Sequence, residues 1–551
     1  MEPSPDTPLN GGNPPQHLTP SKYAKLISIH SQTNASNSLY QGSDWNGLNK
    51  WLSEPSAVRQ PDPSKEGFAR IYVLPRQTPS SSSSGNAQKY IEGVSLALPL
   101  EESLKRQPTD ASILLFLRGY PSPEWLKEIG ARFRIEPEVF YRHLSFFQNP
   151  MVSMRQSPFK LPSNQRPIFQ LTLTTVGQYT PYALSLSETR TQASQKMEAY
   201  LSGMKKQINW TLGDSMVRSF DVHNEKLFSF EQLITIYSSK GEKDSPYTTL
   251  VWLDCGNDLL RGRTNLGPWA HIGHSVTTFP VTIYRRGISL KPYQHRLVSG
   301  YENKVHGTGG LPQSISLLPL FYGRSLNPTQ MSEDPFYALH ELFAFWATSE
   351  TQFLNVVQSA LQSKASVSSG KLPSEMVENQ NTLVFYKDLL NRHVESISES
   401  LGFIETRVFS DWPRSNANKP EMMAQRLQCD VEYLLSKAKM LQAQCESAML
   451  ALSNQAGLQE SKRAVAEGER MYRLSLLVSV FIPLSFCSSL FGMQFVTFDA
   501  TVRGIWTFAL VTVPIFGLSV LFFSWKPESI STALCGDTCR HQPKKTKLGG
   551  V

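Results

Sequence analysis

Two long apolar runs near the C-terminus constrain this chain of 551 residues more than any other feature. The runs Leu474–Phe498 and Gly504–Trp525 contain no charged residue, and only Asp499–Arg503 separates them. About 20 apolar residues cross the hydrocarbon core of a bilayer as a helix, so both runs are long enough. A connection this short forces a tight hairpin. The sequence therefore predicts two transmembrane helices at residues 474–526, with both flanking segments on the same side of the membrane.

The positive charges around this hairpin predict its orientation. Arg470 and Arg473 precede it and Lys526 follows it, whereas the connecting loop holds Arg503 alone. Short cytoplasmic segments carry the excess of Lys and Arg, so both termini are predicted to be cytoplasmic. The N-terminal residues lack the apolar stretch of a signal peptide, which leaves targeting to the hairpin. We expect a multi-pass integral membrane protein of the plasma membrane, with another membrane as the alternative.

The overall charge does not favour a nucleic-acid partner. The chain has 54 Lys and Arg against 46 Asp and Glu, a net charge of +8. Nucleic-acid binders usually concentrate such an excess on one face or in one run. Here the dense basic cluster is Lys544, Lys545 and Lys547 in the tail, a position that suits a membrane-proximal segment better. The six cysteines show no paired spacing, which favours a reducing, cytosolic environment for the soluble body.

The part of the chain before the hairpin shows strand patterns first and helix patterns later. Strands are predicted at residues 112–117, 167–175 and 248–254, and Ser122 followed by Pro123 indicates a helix start. Closer to the hairpin, apolar residues recur at helical spacing. The predicted organisation is a disordered region at 1–90, a cytosolic α/β domain at 91–330, its helical part at 331–419, a stalk helix at 420–473, the transmembrane hairpin at 474–526 and a basic cytosolic tail at 527–551.

The stalk prediction depends on the positions of proline. No proline occurs between Pro420 and Pro483, and a continuous helix over that window would be roughly 90 Å long at ~1.5 Å per residue. Such a helix is too long for a globular core, so it must project toward the membrane. The alternative is a break at Asn454–Gly457 or at Gly468. The predicted fold class is an α+β cytosolic domain followed by a long stalk helix and two C-terminal transmembrane helices.

The soluble part shows no catalytic constellation. A phosphate-binding loop, a dinucleotide-binding fingerprint and a nucleophile elbow are missing from the sequence, so neither enzyme activity nor a bound cofactor is expected. His143 lies among aromatic residues and is interpreted as a partly buried histidine with satisfied hydrogen bonds rather than a metal ligand. Two metal sites remain as weak alternatives. They are a site formed by His223, Asp254 and Asp258, and a site formed by His271 and His274.

The first apolar run contains a pattern that resembles a known family. Pro483-Leu-Ser-Phe486 is followed by Phe491-Gly-Met-Gln494. The CorA family of magnesium transport proteins has a Pro-Leu-Thr/Ser-Phe segment and an aromatic-Gly-Met-Asn signature in the same order and at similar spacing. With its long helix and short hairpin, the chain resembles a long fungal-type member of that family. The resemblance implies a homopentamer in a lipid bilayer that carries divalent cations, Mg²⁺ first.

The resemblance also implies a pore mouth at Gly492, Met493 and Gln494. A ring of Asn amides at this place is thought to hold a hydrated magnesium ion in the family, and here position 494 is Gln. Because Mg²⁺ sheds water reluctantly, the ring must match a hydrated ion of fixed size. Gln keeps the amide but adds a methylene, which narrows and loosens the ring. Asp499 in the adjoining loop would concentrate cations at this mouth, and a simple interfacial Asp is the alternative.

Helical spacing predicts which residues line the pore. Steps of three and four along the first apolar run select one stripe, with hydroxyls near its outer half and an apolar belt before them. Hydroxyls can bind an ion's water shell, and an apolar constriction can gate by dewetting. The alternative is that the small residues only allow close helix packing, and Pro483 is expected to kink the helix or free a carbonyl. The predicted pore-lining residues are Met471, Leu474, Val478, Ile482, Ser485 and Ser489.

The sequence thus predicts a homo-oligomeric channel or transporter for divalent cations, driven by the membrane potential. No fixed metal-binding residue is assigned. Two alternatives stay open. One is a non-conducting relative that acts as a membrane-anchored regulatory or scaffold protein, which the Gln at position 494 favours. The other is a transporter with altered selectivity, for Zn²⁺, Ni²⁺ or Co²⁺.

Overall fold

The computed structural model divides into two compact units, Met1–Ala448 and Met449–Val551, called unit 1 and unit 2 below. It describes residues 18–33, 45–54, 58–59, 67–75, 92–104, 111–147, 168–182, 184–206, 210–239, 246–257, 259, 267–282, 313–365, 373–407, 412–415, 417–492 and 502–524.

The described strands of unit 1 form one mixed sheet. They are β1 (Ala69–Pro75), β2 (Val94–Ser95), β3 (Ala111–Arg118), β4 (Ile168–Pro181), β5 (Ser219–Val222), β6 (Leu227–Ser238), β7 (Thr248–Leu253) and β8 (Gly273–Thr278). The order is β2-β1-β3-β7-β6-β4-β8, and β5 also pairs with β6. Strands β3 and β7 are parallel, whereas the other described pairs are antiparallel.

The central strand β3 contains a continuous apolar run, Ile113–Leu117, because it is buried on both faces. In β3 every residue except Ile113 is buried. Continuous apolar runs are typical of buried strands with a parallel neighbour, whereas strands with one wet face alternate. The strands predicted at residues 112–117, 167–175 and 248–254 are confirmed as β3, β4 and β7.

Helices surround the sheet, and the predicted helix start is confirmed. The Ser122 side chain accepts a hydrogen bond from the backbone N–H of Trp125, and Pro123 occupies the first turn, where it needs no donor. The helices of unit 1 that precede the longest one are α1 (Pro20–Thr33), α2 (Asn46–Ser53), α3 (Leu100–Leu104), α4 (Pro123–Phe133), α5 (Pro137–His143), α6 (Leu186–Lys205), α7 (Ser314–Leu317), α8 (Pro328–Glu333), α9 (Pro335–Ala338), α10 (His340–Ala365) and α11 (Pro373–Thr406).

The prediction that residues 1–90 are disordered is wrong for the described part of that range. Helix α1 packs on α4: Tyr23 and Ile27 are buried, and the Tyr23 hydroxyl donates to the carbonyl of Ile135 at 2.8 Å. Gly130 makes room for this contact, since a Cβ there would lie 2.3 Å from Tyr23 Cε1. Further on, β1 pairs with β3. The prediction used the average composition of residues 1–90. An average does not reveal a few apolar residues that fit one particular surface of the domain.

The longest described helix is α12 (Asn418–Gly492), with 75 residues. It continues through Gly457 and Gly468, so the predicted continuous helix is confirmed and the alternative with a break is wrong. An isolated glycine costs a helix interior only about 1 kcal/mol relative to alanine. That penalty is too small to end a helix when the residues on both sides of the glycine favour helix.

Within unit 1, α12 packs through residues spaced alternately three and four apart. Lys437 Nζ bonds to Asn355 Oδ1 of α10 at 2.5 Å, and Cys445 Sγ bonds to the carbonyl of Leu383 of α11 at 3.0 Å. The alternating spacing keeps one side chain per turn on the same face of the helix. The buried residues of this face are Ala424, Leu427, Val431, Leu434, Ala438, Leu441 and Cys445.

Unit 2 contains the end of α12 and helix α13 (Val502–Ser524). Among the described residues, α12 is the one helix that is long and apolar enough to cross a membrane, and the apolar helical part of α13, Trp506–Leu521, is shorter. The prediction of a mixed-sheet domain followed by a long helix is thus confirmed. The second transmembrane helix stays a prediction.

Candidate functional site

The residues predicted to line a pore share one face of α12 within unit 2. At about 100° per residue they fall within a sector of roughly 80°. All of them are exposed, and Leu474 and Ile482, for example, are 57 % and 62 % exposed. The described part of the chain therefore leaves this face uncovered. The stripe consists of Met471, Leu474, Val478, Ile482, Ser485 and Ser489.

A different face of the same helical segment is covered. Helix α13 lies against it, and the Ser519 hydroxyl is 3.3 Å from the carbonyl of Ser479. At about 100° per residue, the covered face is centred roughly 150° around the helix from the predicted stripe. The stripe and α13 thus occupy nearly opposite sides of α12. The covered residues are Ser479, Val480, Pro483 and Cys487.

Pro483 explains the polar contact on the covered face. A proline has no N–H, so in a helix it leaves the carbonyl four residues earlier without its usual donor. That carbonyl belongs to Ser479, and the Ser519 hydroxyl of α13 reaches it. The same hydroxyl lies 3.2 Å from the carbonyl of Phe516 in its own helix. The expectation that Pro483 frees a carbonyl is therefore confirmed, and a neighbouring helix supplies the donor.

Part of the predicted pore mouth lies outside the described residues. This applies to Met493, Gln494 and Asp499. Gly492 is the last residue of α12 and is exposed. The role of Gly492 and of the three residues beyond it stays a prediction.

In unit 1, a buried charge pair lies where β5 and β7 meet along one edge of β6. Arg218 donates to both carboxylate oxygens of Asp254, from Nε to Oδ2 at 2.6 Å and from Nη2 to Oδ1 at 2.8 Å. The backbone N–H of Leu233 donates to the same carboxylate at 2.7 Å. Burial acts to raise the pKa of Asp254, but the Arg218 charge and the hydrogen bonds from His143 and Arg218 outweigh it and lower the pKa to about 2. Asp254 is therefore ionised at neutral pH.

His143 completes this buried centre. Its ring stacks on Trp252 with 3.9 Å between centroids, and Nε2 lies 3.1 Å from Asp254 Oδ1. Nδ1 lies 2.8 Å from Thr235 Oγ1. Burial outweighs the Asp254 carboxylate and lowers the pKa of His143 to about 4, so the ring is neutral at pH 7. In a neutral ring that accepts at Nδ1 from Thr235, the proton is on Nε2, beside the carboxylate. His143 is therefore hydrogen-bonded, as predicted, but it is completely rather than partly buried.

Some residues of the two alternative metal sites have other partners, and others lie outside the residues that the structure describes. His223 Nε2 is 2.8 Å from Ser229 Oγ, and burial lowers the pKa of His223 to about 3. Asp254 is bound to Arg218, and Asp258 and the side chain of His274 lie outside the described residues. The described part of the chain contains no group of three or more His, Cys, Asp or Glu that could hold a metal ion.

A second buried ionic cluster joins two helices to the sheet. His393 Nδ1 of α11 lies 2.6 Å from Glu350 Oε1 of α10, and Nε2 lies 3.6 Å from Glu231 Oε1 of β6. The ring stacks on Phe353 with 4.0 Å between centroids. Burial acts to lower the pKa of His393, but Glu350 and then Glu231 outweigh it and raise the pKa. On the same side Arg392 lies 3.2 Å from Asp221 Oδ2.

This cluster is not among the sequence-based predictions, although the sequence contains a signal for it. His393 falls between Leu390 and Ile397 in the apolar stripe of α11. Glu350 likewise stands in the buried stripe of α10. A titratable side chain at a buried stripe position needs a partner of its own, because an unpaired buried charge is very unfavourable. Polar residues within apolar stripes therefore indicate that such pairs exist, even where the pattern does not say which residues meet.

Comparison with known proteins gives a distant likeness. No family model matches the sequence, and no curated protein matches it. Among solved structures, the CorA magnesium transporter from Methanocaldococcus jannaschii matches with a TM-score of 0.26 and 11 % sequence identity, over 65 % of this chain and 98 % of that chain. Values this low do not place the present chain in a family.

Proposed function

We propose that this chain forms a homo-oligomeric membrane channel or transporter for divalent cations, with Mg²⁺ as the first candidate. The supporting observation is the exposed stripe from Met471 to Ser489, on the side of α12 away from α13. If copies of α12 surround an axis with α13 on the outside, this stripe faces the axis. It then forms the wall of a path through the membrane.

The chemistry of the stripe suits a hydrated cation. Ser485 and Ser489 present hydroxyls that can hydrogen-bond to the water shell of an ion. Met471, Leu474, Val478 and Ile482 then form an apolar belt, and a narrow belt of this kind excludes water until it widens. Gating by dewetting requires no charged residue in the path. In this proposal, a change in the distance between the copies of α12 is enough to open or close the path.

The membrane potential would drive the ion. It supplies about 2.3 kcal/mol per elementary charge for each 100 mV, and a divalent cation gains twice that amount. Transport then needs neither an enzyme activity nor a bound cofactor, and we propose that the chain has neither. By its resemblance to the CorA family, we further propose a homopentamer in the plasma membrane, with both termini in the cytoplasm and a ring of Gln494 at the pore mouth.

Flux of Mg²⁺ into proteoliposomes tests the proposal directly. The wild-type protein is expected to carry Mg²⁺ at a rate that rises with an inside-negative potential. Robust flux would exclude the non-conducting scaffold. Failure to form oligomers in the bilayer would exclude the pore itself.

A matched pair of leucines tests whether the stripe lines the path. Leu474 lies in the stripe, whereas Leu477 lies roughly 100° around the helix from its centre. The two are similarly exposed in one chain, at 57 % and 53 %. Leu474→Gln is expected to raise flux several-fold, because a polar side chain wets the apolar belt, and Leu477→Gln is expected to leave it within about twofold. Equal effects of the two substitutions would contradict the assignment of the stripe.

The second candidate function is a non-conducting membrane-anchored regulator or scaffold, favoured by Gln at position 494. It predicts no flux in the wild type and restored Mg²⁺ flux in Gln494→Asn. Altered selectivity predicts a third pattern, in which the wild type carries Zn²⁺, Ni²⁺ or Co²⁺ faster than Mg²⁺. The same vesicles distinguish all three.

A further inference from the structure

An open pocket with a cavity volume of about 30 Å³ lies in unit 1 where the chain leaves α11 and enters α12. The proposed transport function does not use it. Its walls combine two guanidinium groups with aromatic side chains, among them Arg407, Arg414, Phe403 and Trp412. The charge and hydrogen-bond state of these groups indicates what the pocket binds.

One of the two arginines already has a partner and the other does not. Arg407 Nη2 lies 2.5 Å from Glu421 Oε2, and its guanidinium lies 5.2 Å from the centroid of the Phe336 ring. Arg414 forms no ion pair or hydrogen bond with any residue that the structure describes. Arg414 is exposed, and partial burial first, and then the positive charge of Arg407, lower its pKa, while Asp334 and Glu421 act to raise it. Its guanidinium is therefore open to an anion that enters the pocket from solvent.

Trp412 adds a second unused donor. Its side chain is 6 % exposed and packs edge-on against Phe403, with 5.5 Å between ring centroids. The indole Nε1 is buried and has no hydrogen-bond acceptor in the described part of the chain. A buried donor without an acceptor is uncommon in folded proteins and calls for a partner.

The two carboxylates of the pocket are committed elsewhere. Asp334 caps α9 by accepting from the backbone N–H of Tyr337 at 3.0 Å, and it also accepts from the backbone N–H of Ser415 at 3.4 Å. Glu421 is paired with Arg407. Neither acid provides a hydrogen-bonding acceptor for Arg414 or for the Trp412 indole.

We propose that this pocket binds the phosphate group of a small molecule. A guanidinium offers two parallel N–H donors that match two oxygens of one phosphate. The indole N–H of Trp412, another residue of the pocket wall, is a further donor, and a tetrahedral phosphate has a further oxygen that could accept from it. A ligand held by Arg414 and Trp412 would tie residues 412–415 to the body of unit 1.

Calorimetric titration of the full-length protein in detergent with inorganic phosphate, against chloride at equal ionic strength, tests this site. Saturable binding is expected for the wild type. Arg414→Gln should weaken it at least tenfold and Trp412→Phe, which removes only the N–H donor and the larger ring, about threefold or more. Glu421→Gln should tighten it, because it removes a competing carboxylate. Arg426→Gln is the matched control, since Arg426 is an exposed arginine of α12 outside the pocket.

The absence of saturable heat in the wild type would overturn the proposal, and so would equal weakening by Arg414→Gln and Arg426→Gln. Glycerol 3-phosphate, titrated in parallel, distinguishes the source of the group. Binding tighter than that of inorganic phosphate supports a lipid-type headgroup, and equal binding supports free phosphate. Both results depend on unit 1 alone and are independent of ion flux.

Discussion

The two halves of α12 use similar spacing of apolar residues, but only the first half finds its partners within the chain. From Ala424 to Cys445 the stripe is buried in unit 1, where Leu434 is 1 % exposed. From Met471 to Ser489 the stripe is exposed in unit 2, where Leu474 is 57 % exposed. The first half of α12 thus completes a core made by one chain. The second half presents a surface that needs another molecule, either lipid or further copies of itself.

Polar groups show the same contrast. Unit 1 pairs its buried charges internally, as Arg218 does with Asp254 through two short hydrogen bonds. The described apolar part of unit 2 has no charge to pair. In that part, Pro483 frees one backbone carbonyl, and the Ser519 hydroxyl of the second helix reaches it. Unit 1 thus satisfies a buried charge with a side-chain partner, whereas unit 2 satisfies a freed backbone carbonyl through a neighbouring helix.

Truncation of one leucine in each half of α12 should give two very different losses of stability. Leu434→Ala is expected to destabilise unit 1 by about 2–5 kcal/mol, since it leaves a cavity among buried side chains. Leu474→Ala is expected to change the free energy of unfolding of unit 1 by about 0.5 kcal/mol or less, because its side chain is exposed. Urea unfolding of the full-length protein in detergent, followed by tryptophan fluorescence, measures both.

Equal destabilisation by the two leucine substitutions would contradict this difference between the halves. A change in oligomer size for Leu474→Ala, without a change in the unfolding midpoint, would support it further. That result would identify further copies, rather than lipid, as the partners of the exposed stripe.

A smaller effect is expected from the pH response of the ionic cluster in unit 1. His393 faces Glu350 on α10, Glu231 on β6 and its neighbour Arg392, and the carboxylates raise its pKa against the effect of burial. A histidine with a raised folded pKa contributes its full stability below the ordinary pKa of about 6.5, and that contribution is lost as pH rises through the folded pKa. The unfolding midpoint of the wild type should therefore fall from pH 6 to pH 9.

The substitution His393→Gln should flatten this decline. The other buried histidines do not interfere in that range: the pKa values of His143 and His223 are lowered to about 4 and about 3, so their contributions are lost only as pH falls below 6.5. Glu231, whose pKa burial raises, responds in the same direction as His393, but from about 4.5 upward. An unchanged slope in His393→Gln would assign the response to another group.

Much of the fold could be predicted from local patterns. The apolar runs gave β3, β4 and β7, and the proline-free window gave α12. Helix α1 and strand β1 were not predicted because composition describes an average, while α1 depends on a specific fit of Tyr23 over Gly130. The order of the strands in the sheet could not be predicted either. The pairing of β5 and β7 along one edge of β6 joins residues far apart in sequence, which no local pattern encodes.

The candidate sites divide in the same way. The stripe from Met471 to Ser489 follows from helix geometry alone, so periodicity was sufficient to find it. The cluster of His393, Glu350 and Glu231 requires two helices and a strand to converge, and spacing within each element cannot show convergence. The pocket beside Arg414 requires the same long-range information, because its unused donors are recognisable only after every other partner has been assigned.

The smallest effect concerns the contact between the two helices of unit 2. Ser519→Ala removes the hydroxyl that reaches the carbonyl freed by Pro483, and such interhelical hydrogen bonds in membranes contribute about 0.6 kcal/mol on average. Thr512→Val is the matched control, because the Thr512 hydroxyl is buried on the same helix and has no hydrogen-bond partner among the described residues. Thermal unfolding in detergent should therefore show a small loss of stability for Ser519→Ala and none for Thr512→Val. The opposite order would mean that the Ser519 hydroxyl is satisfied within its own helix by Phe516, and that apolar packing alone holds α13 against α12.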